Sequence, residues 1–323
     1  MINVCIVGYG AIGPIHAEAL KSVENVNFYA VCDNNPEKIK LCLESYDVKT
    51  YPDFDEMLCD DAIDSVHICT PHYLHFPMIK KALEAGKKVV CEKPLTMTKT
   101  EYEELLTLEG CDRVCTILQN RLNPCVTKLK EIIQCGEMGK IKTAKAIMTW
   151  QRTKEYYDSD EWRGKWDTEG GGVLINQAVH SMDFLNYLIG DVKELRAQMI
   201  NFSLDSIEVE DTFSAYISFD NEVNGIFFAT NAYGENTAPM FEVIFEKGIV
   251  RYIDNKLYCE DKMIAEDMKA KIGKAYWGNS HEMVMDDFYN RNEYNSPVDI
   301  KNTMNTLFAM YESARNNGEK IKI

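Results

Sequence analysis

The chain has 323 residues, of which 46% are hydrophobic and 27% charged, a balance typical of a globular protein large enough for two domains. Its formal net charge of −16 argues against nucleic acid and anionic membranes as partners. The 11 scattered cysteines have neither zinc-ligand spacing nor a disulfide framework, and no apolar run could span a bilayer, so we expect no metal site and a cytoplasmic location.

The chain begins with a short apolar strand, Ile2 to Val7, which runs directly into a glycine-rich turn. An amphipathic helix follows, and a second strand, Phe28 to Cys32, ends at Asp33. Strand, turn, helix, strand and acid in this order predict a βαβ unit that binds a dinucleotide. The turn residues that we assign to cofactor binding are Gly8, Tyr9, Gly10, Ala11, Ile12 and Gly13.

Each glycine of this G-x-G-x-x-G turn has its own physical reason. Gly8 permits the tight turn, Gly10 lets the backbone approach a pyrophosphate, and Gly13 lets the helix pack close to the strand. The N-terminus of the helix offers N–H groups and a partial positive charge to the phosphates. Asp33 would accept hydrogen bonds from both ribose hydroxyls, so we expect NAD as the cofactor. A glycine turn that binds nothing is the alternative, and the surrounding pattern argues against it.

Four more strands alternate with helices and short loops up to about residue 120. They are Val48–Tyr51, Ser65–Cys69, Lys88–Cys91 and Val114–Leu118. Six strands in this alternation predict an α/β fold with a doubly wound parallel sheet, the NAD-binding Rossmann type, over residues 1–120. Ligands then bind at the carboxyl ends of the strands, where Thr70-Pro71 and Glu92-Lys93-Pro94 fall.

From Ile141 onward the pattern changes to short runs of alternating polarity separated by turn residues. The predicted strands are Lys142–Trp150, Glu194–Phe202, Asp211–Phe219, Asn224–Asn231, Met240–Phe245 and Gly248–Tyr252. One helix, Leu174 to Ile189, interrupts them, and two helices close the chain. We therefore predict that residues 121–323 form an α+β domain, with an open and largely antiparallel sheet, for substrate binding and assembly. A sheet face left bare by the helices predicts a homodimer or homotetramer.

Lys93 lies between Glu92 and Pro94 at the end of the fifth predicted strand. Pro94 disfavours a helix at Lys93, and this strand end lies beside the expected nicotinamide site. Partial burial there would lower the pKa of the lysine and make it a usable acid, or a hydrogen-bond donor to a hydroxyl. A surface salt bridge between the adjacent charges explains the pattern equally well.

A second polar group begins with Glu169 and three consecutive glycines. On the helix predicted after them, Asn176, His180 and Asp183 share one face, and Tyr187 continues it. A histidine flanked by an amide and a carboxylate can be held in one tautomer and serve as a general base. A solvated polar face is the alternative, and the grouping of these side chains weakens it.

Together these motifs resemble the Gfo/Idh/MocA oxidoreductases, a family that includes glucose–fructose oxidoreductase and inositol 2-dehydrogenase. The resemblance covers essentially the whole chain, and Glu92-Lys93-Pro94 is its most specific element. The matching motifs are Gly8-x-Gly10-x-x-Gly13, Thr70-Pro71 with His75, Ala85-Gly86-Lys87, Glu92-Lys93-Pro94, Asn120-Arg121, Tyr156-Tyr157, Trp162-Arg163-Gly164, Gly170-Gly171-Gly172 and His180-x-x-Asp183.

The resemblance implies roles for particular residues. Lys93 and His180 would be the catalytic pair, with Asn176 as a third member of the site. The implied cofactor contacts outside the glycine turn are Asp33, Thr70, Pro71, His72, His75, Glu92, Lys93, Trp162 and Arg163. The implied substrate contacts are Lys93, Asn120, Arg121, Tyr156, Asn176 and His180.

Two positions depart from the family pattern. Many members, including inositol dehydrogenases, carry Asp where this chain has Asn176. An amide cannot stabilise an imidazolium by charge, so the action of His180 would depend on Asp183 or on the geometry of Lys93 instead. Asn at this place also occurs in members that act on nucleotide sugars. His72 stands where Asn is usual after Thr-Pro, which would alter contacts near the nicotinamide ribose.

The sequence therefore predicts an NAD-dependent dehydrogenase that moves a hydride between the nicotinamide and a secondary alcohol carbon of a sugar or cyclic polyol. A dehydrogenase acting at C3 of a nucleotide-linked uronic acid is the alternative among enzymes. A regulatory protein that senses NAD without turnover is the alternative from another class, and the presence of Lys93 and His180 argues against it.

Overall fold

The computed structural model describes residues 1–269 and 280–323. This part of the chain divides into two compact units, and the α/β class with two sheets that the sequence predicts is confirmed. The units are Met1–Gln119 with Lys269–Ile300, and Asn120–Met268 with Lys301–Ile323.

The first unit contains one sheet of six strands, all parallel, as predicted. In chain order the strands are β1 (Ile2–Val7), β2 (Val26–Cys32), β3 (Lys49–Tyr51), β4 (Ser65–Ile68), β5 (Lys88–Cys91) and β6 (Val114–Thr116). The strand order across the sheet is β3-β2-β1-β4-β5-β6. The strand order runs outward in opposite directions from β1 and from β4, and sheets of this type bind their ligands at the carboxyl ends of the strands at such a switch point.

Five helices alternate with these strands. They are α1 (Gly13–Leu20), α2 (Pro36–Leu43), α3 (Phe54–Leu58), α4 (His75–Glu84) and α5 (Lys99–Leu105). Side-chain caps explain where several of them begin: Asn35 and Asp53 accept backbone N–H bonds at the starts of α2 and α3, and Thr98 forms a capping box with Glu101 on α5.

The second unit contains a sheet of nine strands in the order β14-β13-β12-β11-β7-β10-β9-β8-β15. Its strands are β7 (Ile141–Thr149), β8 (Val192–Ile200), β9 (Thr212–Phe219), β10 (Asn224–Thr230), β11 (Met240–Phe245), β12 (Gly248–Ile253), β13 (Lys256–Cys259), β14 (Lys262–Glu266) and β15 (Ile321–Lys322). Only β7 and β10 pair in parallel, so the largely antiparallel sheet is confirmed. The sequence analysis missed the last three strands, which have only four, five and two residues.

The remaining α-helices of the described residues are α6 (Pro124–Cys135), α7 (Lys154–Asp158), α8 (Trp166–Glu169), α9 (Val179–Phe184), α10 (Ser280–Asp286) and α11 (Lys301–Arg315). Within the second unit, α11 packs on β8 and α9 on β7. No helix in the described ranges is long and apolar enough to cross a membrane.

The helix predicted over residues 174–189 is not continuous. A π-helical turn, Val173–Gln177, precedes α9, and a second one, Leu185–Ile189, follows it. At the first break the Ala178 N–H donates to the carbonyl of Val173 at 2.8 Å, five residues back. The π turns change the rotation per residue, so the single polar face that we predicted from α-helical spacing does not persist along the segment.

Residues 280–300 return to the sheet of the first unit. The Tyr102 hydroxyl donates to the carbonyl of Pro297 at 2.5 Å, and the Thr116 N–H donates to that of Asn295 at 2.9 Å. In addition, α10 packs against α1. The structure thus places in the first unit a segment that the sequence analysis assigned to the second, because the pattern of a helix does not indicate which sheet it covers.

Candidate active site

The glycine turn of the first unit connects β1 to α1. Gly8 has a φ of +89°, a conformation that favours glycine, and a Cβ on Gly13 would lie 2.6 Å from the carbonyl oxygen of Gly8. A Cβ on Gly10 would instead meet nothing within 4 Å. The turn is therefore tight at its two ends and open at Gly10, which leaves room beside the backbone for a phosphate.

Asp33 holds the turn from the end of β2. Its Oδ2 accepts the Tyr9 N–H at 2.7 Å, and its Oδ1 accepts the Asn35 N–H at 2.8 Å. Each carboxylate oxygen can accept a further bond, as the predicted ribose contact requires. The exposed residues that follow, Asn34 to Pro36, carry no positive charge that could offset a 2′-phosphate.

Lys93 is the one partly exposed residue in a buried stretch from Val89 to Thr96. The Glu92 Oε2 accepts the backbone N–H of Lys93 at 3.2 Å, which ties the loop after β5 to a buried carboxylate. A long, charged side chain with access to solvent thus follows the carboxyl end of a strand, where this type of sheet binds its ligands.

His75 links two loops that the sequence assigned to cofactor binding. Its Nδ1 lies 2.7 Å from the carbonyl oxygen of Pro94, and its Nε2 lies 2.9 Å from that of Thr70. Burial lowers the pKa of His75, and the ring of the buried His72 lies 5.7 Å away. His75 therefore lies between the loop after β4 and the loop after β5, and as a neutral ring it donates a hydrogen bond to one of the two carbonyls.

Glu92 lies in a buried group with two histidines. Its Oε1 is 3.1 Å from His16 Nε2 and 3.6 Å from His281 Nε2. Two imidazoles and a carboxylate within 4.8 Å of one another can bind metal ions in proteins. The separation of His16 and Glu92 is, however, that of a hydrogen bond already made, and we assign the group as hydrogen-bonded.

In the second unit, the last of the three glycines and the segment after it donate to the buried carboxylate of Glu210. Its Oε2 accepts the Gly172 N–H at 2.9 Å, and its Oε1 accepts the Leu174 N–H at 3.1 Å and the Tyr311 hydroxyl at 2.9 Å. A Cβ on Gly172 would lie 1.9 Å from the Glu210 carbonyl oxygen, so only glycine fits there. Glu210 thereby fixes the entry into the segment that carries Asn176 and His180.

Glu210 should make stability depend on pH near neutrality. Burial raises its pKa to about 7, against the hydrogen bonds that favour the charged form. Between its unfolded pKa of about 4.5 and 7 the folded state holds a proton that the unfolded state has lost, so this contribution to stability falls as pH rises. Relative to the wild type, Glu210→Gln should gain about 2 kcal/mol in free energy of unfolding from pH 5.5 to pH 8. Urea unfolding at a series of pH values measures this difference, and Glu208→Gln, which changes an exposed side chain, is the control. If the free energy of unfolding depends on pH in the same way in the wild type and in Glu210→Gln, the assignment is wrong.

Asn176 donates its side-chain N–H to Oε1 of the buried Glu169 at 2.5 Å. The other oxygen of Glu169 accepts the Gly164 N–H, also at 2.5 Å. An Asp at position 176 would place one carboxylate against another, whereas the amide supplies the donor that Glu169 needs. The Asn at this position is therefore matched to its own surroundings.

The partly exposed residues from Gly171 to Asp183 are Asn176, Gln177 and His180. The Gln177 side chain donates to the Tyr156 hydroxyl at 2.9 Å and accepts from Asn231 at 2.9 Å. His180 thus lies in a mostly buried segment in which polar side chains alone have access to solvent, as a substrate site requires.

Three residues that the sequence assigned to the site lie together in the structure: Tyr156, Trp162 and Arg163. The Arg163 guanidinium lies 4.5 Å above the ring of Tyr156 and 4.6 Å above that of Trp162, and it donates to the Tyr156 hydroxyl at 2.5 Å. Its Nε donates to Asp160 at 3.1 Å. Burial raises the pKa of Tyr156, so its hydroxyl stays neutral and can bond to a sugar.

Arg121 and Asp183 do not occupy the positions expected for them. Arg121 Nε donates to Asp183 Oδ2 at 2.8 Å and its Nη2 to Oδ1 at 2.6 Å, while the Thr303 hydroxyl also donates to Oδ1 at 2.6 Å. Both charged side chains are buried, and the Tyr187 ring lies 4.6 Å from the guanidinium. A substrate contact by Arg121 would require breaking this pair, whereas Asn120 is partly exposed.

Comparison with known proteins places these features in a family. Residues 2–118 match the model for the NAD-binding Rossmann fold of the Gfo/Idh/MocA oxidoreductase family, and residues 126–251 match the model for the Gfo/Idh/MocA C-terminal domain. The chain belongs to the Gfo/Idh/MocA family of oxidoreductases.

Several members of the Gfo/Idh/MocA family are similar to the chain along much of its length. An uncharacterised oxidoreductase of Bacillus subtilis, YrbE, is 28% identical over 67% of this chain and 63% of its own, and the myo-inositol 2-dehydrogenase of Thermotoga maritima is 26% identical over 72% and 67%. The WlbA dehydrogenase of Chromobacterium violaceum, solved with NADH and UDP-GlcNAcA, is 27% identical with a TM-score of 0.88, covering 100% of this chain and 96% of its own.

Sequence analysis missed several residues that shape the site of this Gfo/Idh/MocA chain. They are His16, Gln177, Glu210 and Asn231. Glu169 was named as the start of a polar group, but its hydrogen bond with Asn176 was not predicted. Glu169 stands seven residues before Asn176, a separation that could have suggested a contact. Glu210 and Asn231 are far along the chain from the residues that they contact, and nothing in their local sequence predicts these contacts.

Proposed function

We propose that the protein is an NAD-dependent dehydrogenase that acts on a secondary hydroxyl of a sugar or cyclic polyol. The observation that carries the proposal is that Lys93 and His180 are partly exposed within stretches of the chain that are otherwise buried. In the second unit, the polar groups of Asn176, Gln177 and Tyr156 near His180 are of the kind that hydrogen-bond to sugar hydroxyls.

The glycine turn and Asp33 suit the cofactor. Gly10 leaves space for a pyrophosphate, and Asp33 retains acceptor capacity for ribose hydroxyls. NAD, when bound, supplies the hydride acceptor. In the oxidising direction His180 takes the hydroxyl proton of the substrate, and Lys93 donates a hydrogen bond to the same oxygen, which offsets its developing negative charge.

A substrate panel tests this proposal. The protein should form NADH, seen by its absorbance, with at least one member of a panel of inositols, aldoses and anhydrosugars. The Lys93→Met variant should form NADH from the same substrate roughly two to four orders of magnitude more slowly. Failure of the whole panel, with NAD binding intact, would count against the proposal and favour a protein that senses NAD without turnover.

A nucleotide-linked uronic acid is the second candidate substrate. The observation that favours it is Asn176, which donates to Glu169, since Asn at this position also occurs in members that act on nucleotide sugars. The similarity to WlbA, solved with UDP-GlcNAcA, supports the same class. Incubation with UDP-N-acetylhexosaminuronates alongside the free sugars distinguishes the two substrate classes, because a polyol dehydrogenase would not oxidise the nucleotide-linked compounds.

The protein should prefer NAD to NADP. The carboxylate of Asp33 would repel a 2′-phosphate, and no cation follows it in Asn34 to Pro36. Asp33→Ser should weaken NADH binding and narrow the gap between NADH and NADPH, measured by nicotinamide fluorescence. The exposed Asp47→Ser serves as the control. Equal affinities for the two cofactors in the wild type would contradict this prediction.

We propose that a second copy of the chain covers the open face of the second sheet. On this face Tyr216 is 70% and Ile226 47% exposed, whereas their neighbours Ala215, Ile217 and Phe227 are buried. Light scattering should report at least twice the mass of one chain. Tyr216→Lys with Ile226→Asp should lower that mass to a single chain. A wild type that is monomeric at micromolar concentration would refute the prediction.

We also propose a cytoplasmic location. All 11 cysteines are free thiols in the structure, and most are buried, as suits a protein kept in a reducing compartment. Fractionation of cells that produce the protein, followed by immunoblotting, tests the location.

A further inference from the structure

Arg152 lies just beyond the end of β7, in the second unit. Its guanidinium carbon is 4.8 Å from the centre of the Trp150 ring and 5.2 Å from that of Tyr156. The Tyr156 hydroxyl in turn accepts from Gln177, which is close along the chain to His180. Arg152 therefore belongs to the surroundings of the proposed substrate site, although no sequence motif indicated it.

The guanidinium of Arg152 is held at one nitrogen only. Its Nη1 donates to the carbonyl of Gln151 at 2.7 Å and to Oδ1 of Asn236 at 2.9 Å, which uses both N–H groups of that nitrogen. Among the described residues, no acceptor takes the N–H groups of Nε and Nη2, and no carboxylate pairs with the charge. The side chain is nonetheless partly buried. The edge formed by Nε and Nη2 is therefore available to a ligand.

This edge of an arginine is the one that binds oxyanions. In the same unit, Arg121 uses its Nε and Nη2 to donate to the two oxygens of Asp183, at 2.8 and 2.6 Å. Carboxylate and phosphate groups fit two parallel N–H groups, whereas a hydroxyl offers one oxygen only. The neighbouring Arg163 differs from Arg152, because its Nε already donates to Asp160 at 3.1 Å. Arg152 thus keeps for a ligand the fork that Arg121 and Arg163 use within the protein.

Tyr156 adds a further donor beside the Arg152 guanidinium. Its hydroxyl accepts from Arg163 Nη1 at 2.5 Å and from Gln177 Nε2 at 2.9 Å, so both lone pairs of the oxygen are used. Burial raises the pKa of Tyr156, which keeps the proton on the oxygen and leaves it to donate. An oxyanion accepts several hydrogen bonds and donates none, so it matches side chains that can only donate.

We infer that Arg152 binds a carboxylate or phosphate group of the substrate through Nε and Nη2, and so selects sugars that carry a negative charge. The inference rests on the proposed function, because it concerns the sugar whose hydroxyl His180 deprotonates. Arg152 is then a specificity-determining residue. It holds a group that does not react, so it stabilises the bound substrate and the transition state alike.

Arginine NMR tests the anion site without turnover. In the full chain labelled with ¹⁵N-arginine and with NADH bound, the Nε–H signal of Arg152 is assigned from its loss in Arg152→Lys. It should move on titration with UDP-N-acetylglucosaminuronate. UDP-N-acetylglucosamine carries only the phosphates and N-acetylglucosaminuronate only the carboxylate, so these two compounds identify the group that is bound. The Nε–H signal of Arg121, already bonded to Asp183, should stay in place.

Neutral N-acetylglucosamine should leave the Arg152 signal where it is. If none of the three anionic compounds moves that signal, the inference is overturned, even if the protein proves to be the proposed dehydrogenase. Anion binding through Arg152 in a protein that oxidises none of the sugars would instead support the anion site and reject the dehydrogenase.

Affinity and turnover separate a role in recognition from a structural one. Arg152→Met should weaken binding of the anionic compound about 10- to 100-fold, as expected for the loss of charge-assisted hydrogen bonds. Arg152→Lys should recover part of this loss, because it restores the charge but not the fork. For a substrate that is oxidised, KM should rise by a similar factor while kcat changes little.

The control for this experiment is Lys154→Met, which removes an exposed lysine that pairs with Asp158. It takes one positive charge from the same stretch of chain and should change neither KM nor kcat. Equal losses of affinity for neutral and anionic sugars in Arg152→Met would identify a structural role and overturn the inference.

Discussion

Replacing Lys93 with Met, or His180 with Asn, should lower kcat by roughly two to four orders of magnitude, the usual scale for a positioned proton-transfer group. Met keeps the length of the lysine stem but removes the charge and the donors, and Asn removes the base. NAD affinity should change little, because the glycine turn and Asp33 hold the dinucleotide in the proposed complex. Steady-state kinetics and fluorescence titration of NADH measure the two quantities separately.

The double variant sharpens this prediction. If Lys93 and His180 act on one hydroxyl, removing both should cost little more than the more damaging single change. The control is Lys81→Met, which should leave kcat intact. It removes an exposed lysine of the first unit that pairs with Asp55. Single variants that turn over normally while NAD binding collapses would reject the catalytic assignment and favour the sensor.

Arg121→Met should destabilise the second unit by about 3–5 kcal/mol, because it leaves the buried carboxylate of Asp183 without its cation. Thr303 would still donate one hydrogen bond to that carboxylate, but a hydroxyl does not neutralise a charge. Urea unfolding followed by tryptophan fluorescence measures the loss. Three of the four tryptophans, Trp150, Trp162 and Trp166, lie in the second unit and report on it.

Removing both charges should cost far less than removing one. Arg121→Met with Asp183→Leu should lie within about 2 kcal/mol of the wild type, since apolar side chains can replace a buried ion pair of similar volume. Lys320→Met, which breaks an exposed pair with Glu194, should cost less than about 1 kcal/mol. If Arg121→Met lowers the free energy of unfolding no more than Lys320→Met does, the buried pair does not stabilise the unit in the way that its burial indicates.

The fold could be predicted well where burial alone determines it. The bounds of β1, β5 and β11 agree with the predicted runs, because apolar residues there lie between clear turn signals. The strands β13 and β14 were missed, since runs of four and five residues are too short to show a clear alternation of polarity. Local patterns thus predict the centre of a sheet more easily than its edge.

Candidate residues of the site could be named from the sequence, but their hydrogen-bond partners could not. The glycine turn, Lys93 and His180 follow from motifs in short stretches of sequence. The partners of Asp183 and of Gly172 come from 62 and 38 residues away, and no spacing on a helix predicts them. The polar face that we inferred assumed a regular α-helix, whereas a glycine turn bound to Glu210 introduces a π turn.

The return of residues 280–300 to the first sheet has a consequence for synthesis and for engineering. An emerging polypeptide cannot complete its dinucleotide-binding unit until this late segment has left the ribosome. Until then, Ser65 and His67 of the parallel sheet would lack their contacts with Tyr289. A fragment ending near residue 120 would carry every glycine of the turn and still lack this cover. Grafting the unit onto another protein therefore calls for two discontinuous pieces of chain.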